Sequence, residues 1–355
     1  MSSTAANDAE TGLAPGHDRV SSFGDIAHEY AALKDGAALV DRSARLRILF
    51  RGDKAAETLT GLVTNDVLAL QPGDGQLAAA LTAKGKVIAD VRIFARDKEW
   101  LVDCAHPATD GFRTMVRKYV NPRLARYDDQ SAALRDIGVF GPLANALVAR
   151  VLGIAGRVVD ELQPYQHVSR DWQGSTVQLT SAHDLGVKGF DLFVDEPQAA
   201  ALWRNLADAG ALPAGTSAAN IARVEAGFPL WGIDMDDNTL AQEANLDVLG
   251  AISYSKGCYT GQETVARVHF RGHVNRTLRG IEGGSAMPQG AALFDNEGAP
   301  IGDVRSSVVS PRLGPIAIAM LRRSVESGSE IQVRWDHGEC RARVRELPVA
   351  RLRPD

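Results

Sequence analysis

No apolar run in the sequence approaches the ~20 residues needed to span a bilayer, so no membrane association is expected. The stretch from Met1 to Arg19 has no apolar core, and Asp8, Glu10 and Asp18 interrupt it, so it is not expected to be a secretory signal. Its small and polar composition predicts a disordered leader over residues 1–22 and a cytoplasmic protein. Cysteine is scarce: Cys104, Cys258 and Cys340 are widely spaced and odd in number, so neither a disulfide framework nor a CxxC metal site is visible. None of the 8 histidines forms HExxH or pairs closely with a cysteine, so no protein-built metal site is expected. A basic excess is also missing. With 39 Lys+Arg against 44 Asp+Glu the net charge is −5, which speaks against nucleic acid held by bulk electrostatics. Fixed-period repeats and long Pro/Ser linkers are absent too, so the domains are expected to pack against one another.

What is present is an ordinary globular composition, 45% hydrophobic and 23% charged, over 355 residues. That length implies two or three domains. Apolar spacing predicts a helix over Phe23 to Leu33, with Ile26, Tyr30 and Leu33 on one face. Strands are predicted at Leu46 to Phe50, Val87 to Phe94, Trp100 to Cys104, Leu134 to Phe140, Val177 to Thr180 and Gly189 to Val194. Further helices are predicted over Ala55 to Val63, Asp110 to Val120, Leu143 to Leu152, Pro197 to Ala209 and Asn220 to Ala226. From Thr277 onward short strands, glycines and Pro288, Pro300, Pro311 and Pro315 indicate a small separate barrel or sandwich. The class is α+β.

The most informative stretch is Ser255-Lys256-Gly257-Cys258-Tyr259-Thr260-Gly261-Gln262-Glu263. Thr260 and Glu263 have capping-box spacing, which would start a helix at Gly261 and set Cys258 before its positive end. A helix N-terminus and Lys256 both favour a thiolate, and would lower the thiol below its free pKa of ~8.5. Gly257 and Gly261 would leave room for a ligand or partner. The plain alternative is a small buried thiol in a tight turn. In Arg267-Val268-His269-Phe270-Arg271-Gly272-His273, cationic groups recur at every second position; an extended segment would put them on one face, as an anion-binding surface or a charged strand edge.

Arg223, four residues before Gly227, could fork onto a ligand carboxylate or make a structural salt bridge. Asp90 follows the turn Ala83-Lys84-Gly85-Lys86, and Asp191 sits in Gly189-Phe190-Asp191. Either carboxylate could accept a bidentate pair from a pterin ring, or could be a surface aspartate beside a glycine turn.

Lys256-Gly257-Cys258-Tyr259-Thr260-Gly261-Gln262-Glu263 resembles the KGCYxGQE signature of the YgfZ family. Arg223-x-Glu225-x-Gly227 resembles the RxExG element shared with the glycine-cleavage T-protein. So do Thr64-Asn65-Asp66, Gly141-Pro142, and Val304 to Ser310 with Pro311 and Gly314. The resemblance runs from about residue 23 to 345. It implies a three-domain T-protein-like cloverleaf with a small β-rich C-terminal domain: residues 23–50 plus 134–274 as a split first domain, 51–133 as an inserted second, 275–355 as the third. It also implies that tetrahydrofolate or a one-carbon derivative is the cofactor, with Arg223, Asp191 and Asp90 as contacts. Where T-proteins carry paired aspartates after a Gly-Gly turn, this chain has Gly85-Lys86 and Ala89-Asp90, and a misplaced carboxylate can lose orders of magnitude in rate. That departure and the cysteine signature together imply a YgfZ-like role, with Cys258 and Lys256 in the chemistry and iron–sulfur client enzymes or cluster-assembly proteins as partners. The competing expectations are a folate-dependent aminomethyl or methyl transferase using Asp90, and a non-catalytic folate-sensing scaffold.

Overall fold

The structure is a computed structural model and describes residues 20–349; the expected leader lies outside them. In chain order it contains α1 (Ile26–Asp35), β1 (Ala38–Asp41), β2 (Leu46–Arg51), α2 (Ala55–Leu62), β3 (Gly75–Leu81), β4 (Val87–Arg96), β5 (Glu99–Cys104), α3 (Thr109–Tyr119), β6 (Arg126–Asp129) and β7 (Leu134–Phe140). Then come α4 (Ala144–Leu152), α5 (Gly156–Glu161), β8 (His167–Trp172), β9 (Ser175–Ala182), β10 (Gly189–Asp195), α6 (Glu196–Asp208), β11 (Leu212–Pro213), α7 (Thr216–Ala226) and α8 (Gln262–Arg271). The last segment holds β12 (Arg276–Gly283), β13 (Ala292–Phe294), β14 (Pro300–Ser310), β15 (Gly314–Arg322), β16 (Glu330–Trp335) and β17 (Gly338–Arg345).

The chain divides into two compact units. One holds the described residues up to Thr60 with Asp66–Leu77 and Val91–Ala219; the other holds Gly61–Asn65, Ala78–Asp90 and the chain from Asn220. In the first, a six-stranded sheet runs β11-β1-β7-β10-β9-β8. Strand alternation decides what each face does. Ile137 and Val139 of β7 and Phe190 and Leu192 of β10 pack under α4 and α6, against Leu147, Val148, Leu202 and Leu206. The intervening positions, Asp136 and Asp191, point to the opposite face and are equally buried. A second sheet runs β3-β4-β5-β2-β6, and Leu49, Phe94 and Leu101 from it meet Phe193 of β10.

Helix α1 starts later than the spacing predicts. Asp25 caps it, accepting from the amides of Ala27 and His28, so Ile26 is its first residue and is 40% exposed. Tyr30 and Leu33 are buried as expected. The barrel-or-sandwich alternative resolves to a closed barrel in the second unit, β12-β15-β14-β13-β16-β17, filled by Ile281, Leu293, Val304, Ala317 and Val333. Among the described residues no helix is long and apolar enough to cross a membrane.

Candidate functional site

The Lys256–Glu263 motif is a loop tied to the segment 61–65. The Lys256 ammonium donates to the carbonyls of Val63 at 2.7 Å and Asn65 at 3.0 Å, and lies 4.7 Å over the Tyr259 ring. Only 8% of Lys256 is exposed. Next to it the Thr64 hydroxyl donates to Ala251 O at 2.6 Å and accepts from the Ala79 amide, while the Asn65 side-chain amide donates to Gly250 O. The Thr64-Asn65 pair therefore fixes the entry to the loop. Lys256 fixes its middle, and the amide of Thr260, donating to Gly61 O, fixes its exit. Cys258 stands exposed between these anchors, beside exposed Gly257, around which no atom lies within 4 Å of a built Cβ. Gly257 thus leaves open space, as the sequence suggests.

Gly261 does something else. Its φ is +86°, and a Cβ there would sit 2.6 Å from the Thr82 carbonyl oxygen, so its missing side chain is the room taken by the turn 81–85 rather than by a ligand. Gly261 is also the N-cap of α8, with no side-chain cap. The expected Thr260–Glu263 capping box does not form: the left-handed glycine sets the helix start, and Glu263 contributes only as an acid in the first turn.

The segment from Arg267 is another correction. It is helix, not an extended face, as far as Arg271. Of α8 only Val265 is buried, so most of its circumference is solvated, and charged residues at alternate positions need no strand. His269 stacks on Tyr254 at 3.6 Å between ring centroids, with Phe270 against their edges.

Arg223 is buried at the last turn of α7, and its five N–H groups all face protein acceptors. Nε and one terminal nitrogen donate to Asn220 Oδ1. The other donates to Phe228 O at 2.6 Å and Asp234 at 2.9 Å, and the fifth bond goes to Ser306 Oγ of β14. Asp234 is saturated in turn by the Leu230 and Ser306 amides and the Ser306 hydroxyl. Glu225 accepts from Ser310 at 2.5 Å, and a Cβ on Gly227, φ +69°, would meet Leu347 at 2.8 Å. Here the RxExG element clamps α7 and the loop after it to the barrel. Of the two sequence-level readings of Arg223, the geometry is that of the structural salt bridge.

Asp90 belongs to the same unit, buried on β4 after a turn that is itself held: Lys86 Nζ donates to Asn238 O, and Val87 O accepts from the Trp231 indole. Asp191 belongs to the other unit and has no exposed surface. One oxygen pairs with Arg92, the other lies 3.3 Å from Nε of Arg42. These guanidinium groups bind further aspartates, Arg92 reaching Asp103 and Asp136 and Arg42 forking onto Asp184. Burial and then the neighbouring Asp191 charge push Asp136 up to about 8, so it holds a proton at neutral pH. Asp103 and Asp184, buried but facing arginines, are held below the usual carboxylate range. Asp103, Asp184 and Asp191 are thus paired with Arg42, Arg45 and Arg92, and buried Arg47 adds a fourth guanidinium beside Asp103. Sequence reading missed Asp234, Ser306, Asp136 and Asp184, because each acts through partners distant in the chain.

Comparison with known proteins places these features in a family. The chain aligns with an aminomethyltransferase of Nostoc sp. at 27% identity over 308 residues, 84% of this chain and 80% of the relative. With one from Rubrobacter xylanophilus it shares 28% over 335 residues, 93% and 87% of the two chains. The fold is that of the glycine cleavage system aminomethyltransferase T from Bartonella henselae, with a TM-score of 0.82 at 22% identity, covering 91% of this chain and 89% of that one. Residues 2–253 match the GCVT N-terminal domain and residues 276–350 the glycine cleavage T-protein C-terminal barrel domain, so the chain belongs to the glycine cleavage T-protein family.

Proposed function

We propose that the protein binds tetrahydrofolate or a one-carbon derivative and works as a folate-dependent transferase of the aminomethyltransferase kind. The observation that carries this reading is the extent of the likeness to curated aminomethyltransferases, which covers both domains of the chain rather than one. Arg223 and Asp191 do not fit a direct grip on the cofactor, because both are paired within the protein. Folate contact is therefore assigned to neither, and Asp90 is left as the carboxylate to test.

A second reading is favoured by one specific feature. Cys258 is exposed on a loop that is fastened on either side of it by Lys256 and the Thr260 amide, and the loop carries the YgfZ-like signature. In this reading the thiol is the working group, Lys256 shapes its loop, and iron–sulfur enzymes or their assembly proteins are the partners. Titration with tetrahydrofolate, turnover of an aminomethyl donor, and iron–sulfur enzyme activity in a deletion strain separate the two. A transferase binds folate, turns over, loses turnover in Asp90→Asn and keeps it in Cys258→Ser. A YgfZ-type protein binds folate without turnover, and Cys258→Ser fails to restore the strain. Wild type that binds no folate overturns both.

A further inference from the structure

A cavity of ≈ 430 Å³ lies in the first unit, lined by residues that include Arg96, Asp97, His167, Gln178, Phe193 and Asp195. None of them takes part in the motifs discussed above, and the volume falls in the range of small-molecule sites. Three features mark it as built.

First, the Arg96 guanidinium is fastened from behind: its Nε donates to Gln178 Oε1 at 2.7 Å, and buried Gln178 is itself fixed by donating to Thr180. Among the described residues the terminal nitrogens of Arg96 make no ion pair, and its pKa is lowered by burial first, with Glu99 and Asp195 opposing that shift and Arg51 adding to it. Second, His167 is 6% exposed, and its Nε2 lies 2.9 Å from the Ala95 carbonyl, which can only accept. Nε2 therefore carries the hydrogen. Burial lowers the ring to about 4, leaving it neutral, and Nδ1 is a buried acceptor with no hydrogen-bond partner. Third, the wall is not uniformly basic. Asp195, which accepts from Ser175, lies within electrostatic reach of Arg96, and Asp97 is exposed on the rim. Glu99, also on the wall, is engaged by Arg51.

These features together select the ligand. A simple anion would meet Asp97 and Asp195, a simple cation would meet Arg96, and a neutral molecule would engage neither sign of charge. We propose that this cavity binds a small zwitterion of the amino-acid type, its carboxylate on the terminal N–H groups of Arg96, its ammonium toward Asp195 and Asp97, and neutral His167 in the wall. The site is independent of the folate reading.

The test is calorimetric titration of the full-length protein at neutral pH with L-glutamine, with glutaramate, which lacks the ammonium, and with 4-aminobutanamide, which lacks the carboxylate. L-glutamine binds one per chain, and each analogue binds at least about tenfold more weakly. Arg96→Met, which keeps the aliphatic stem, weakens L-glutamine at least about tenfold while its melting temperature shows an intact fold. Asp195→Asn brings L-glutamine down toward glutaramate. The proposal is overturned if none of the proteinogenic amino acids at about 10 mM binds or raises the melting temperature. It is equally overturned if glutaramate binds as tightly as L-glutamine, or if a folded Arg96→Met binds like wild type.

Discussion

At Asp136 the fold keeps a carboxylate protonated that the unfolded chain would ionise. Its pKa rises from the ordinary ~3.9 to about 8, so across that window the folded state binds a proton that the unfolded state has released. The stability it contributes is fully present below the unfolded value and is lost as pH rises toward 8. Asp136→Asn copies the protonated form and is expected to remove that slope; urea midpoints of the two proteins that run parallel with pH would contradict the assignment. His167 acts with the opposite sign. Its pKa falls from ~6.5 to about 4, so its contribution, about 3 kcal/mol at most, is present above the unfolded value and lost as pH falls through that range. His167→Gln should flatten that acid limb. Neither behaviour is legible in the sequence. Asp136 and His167 are single polar residues in strand patterns, and only neighbours from other strands determine their charge.

Elements show how far local rules reach. The strand at Leu134–Phe140 is where alternation and β-propensity predict it, because local preference and burial agree there. Helix α8 is where they mislead. Its charges recur at every second residue, but a helix buried along a single residue is free to carry charge almost anywhere else on its surface. Its start is set by Gly261 against the turn 81–85, a contact across many residues. Gly261→Ala is expected to destabilise by about 1–3 kcal/mol or more, from the left-handed φ and the clash with Thr82 O together. Ser306→Ala should cost about 1–3 kcal/mol, because it leaves a buried N–H of Arg223 and an oxygen of Asp234 short of a partner. Cys258→Ser, at an exposed position, should lie within about 0.5 kcal/mol of wild type, which makes it a clean functional probe. Denaturant unfolding checks all three.

For the whole molecule, ligand binding and stability are linked. If the protein binds tetrahydrofolate in its native state alone, folate at about 100 times its Kd should add about 2.7 kcal/mol to stability and raise the melting temperature. Folate that leaves melting unchanged at that excess speaks against specific binding and so against the proposed function. The same melt, repeated with L-glutamine and with Arg96→Met, reports on the zwitterion cavity separately, because that variant should abolish only the amino-acid response.

By itself the sequence determined the class, the order of most strands and helices and the small β-rich C-terminal domain. These depend on periodicity, turn residues and motif spacing, which act over a few neighbours. Tertiary structure decided what the charged residues do. It turned Arg223 onto Asp234 and Ser306, Asp191 onto Arg92 and Arg42, and Lys256 onto the carbonyls of Val63 and Asn65. It also brought Arg96, Gln178 and His167 together around a cavity. A buried charge is held by whichever opposite charges and dipoles the fold brings within a few ångströms, and those partners come from chain segments that local pattern does not connect.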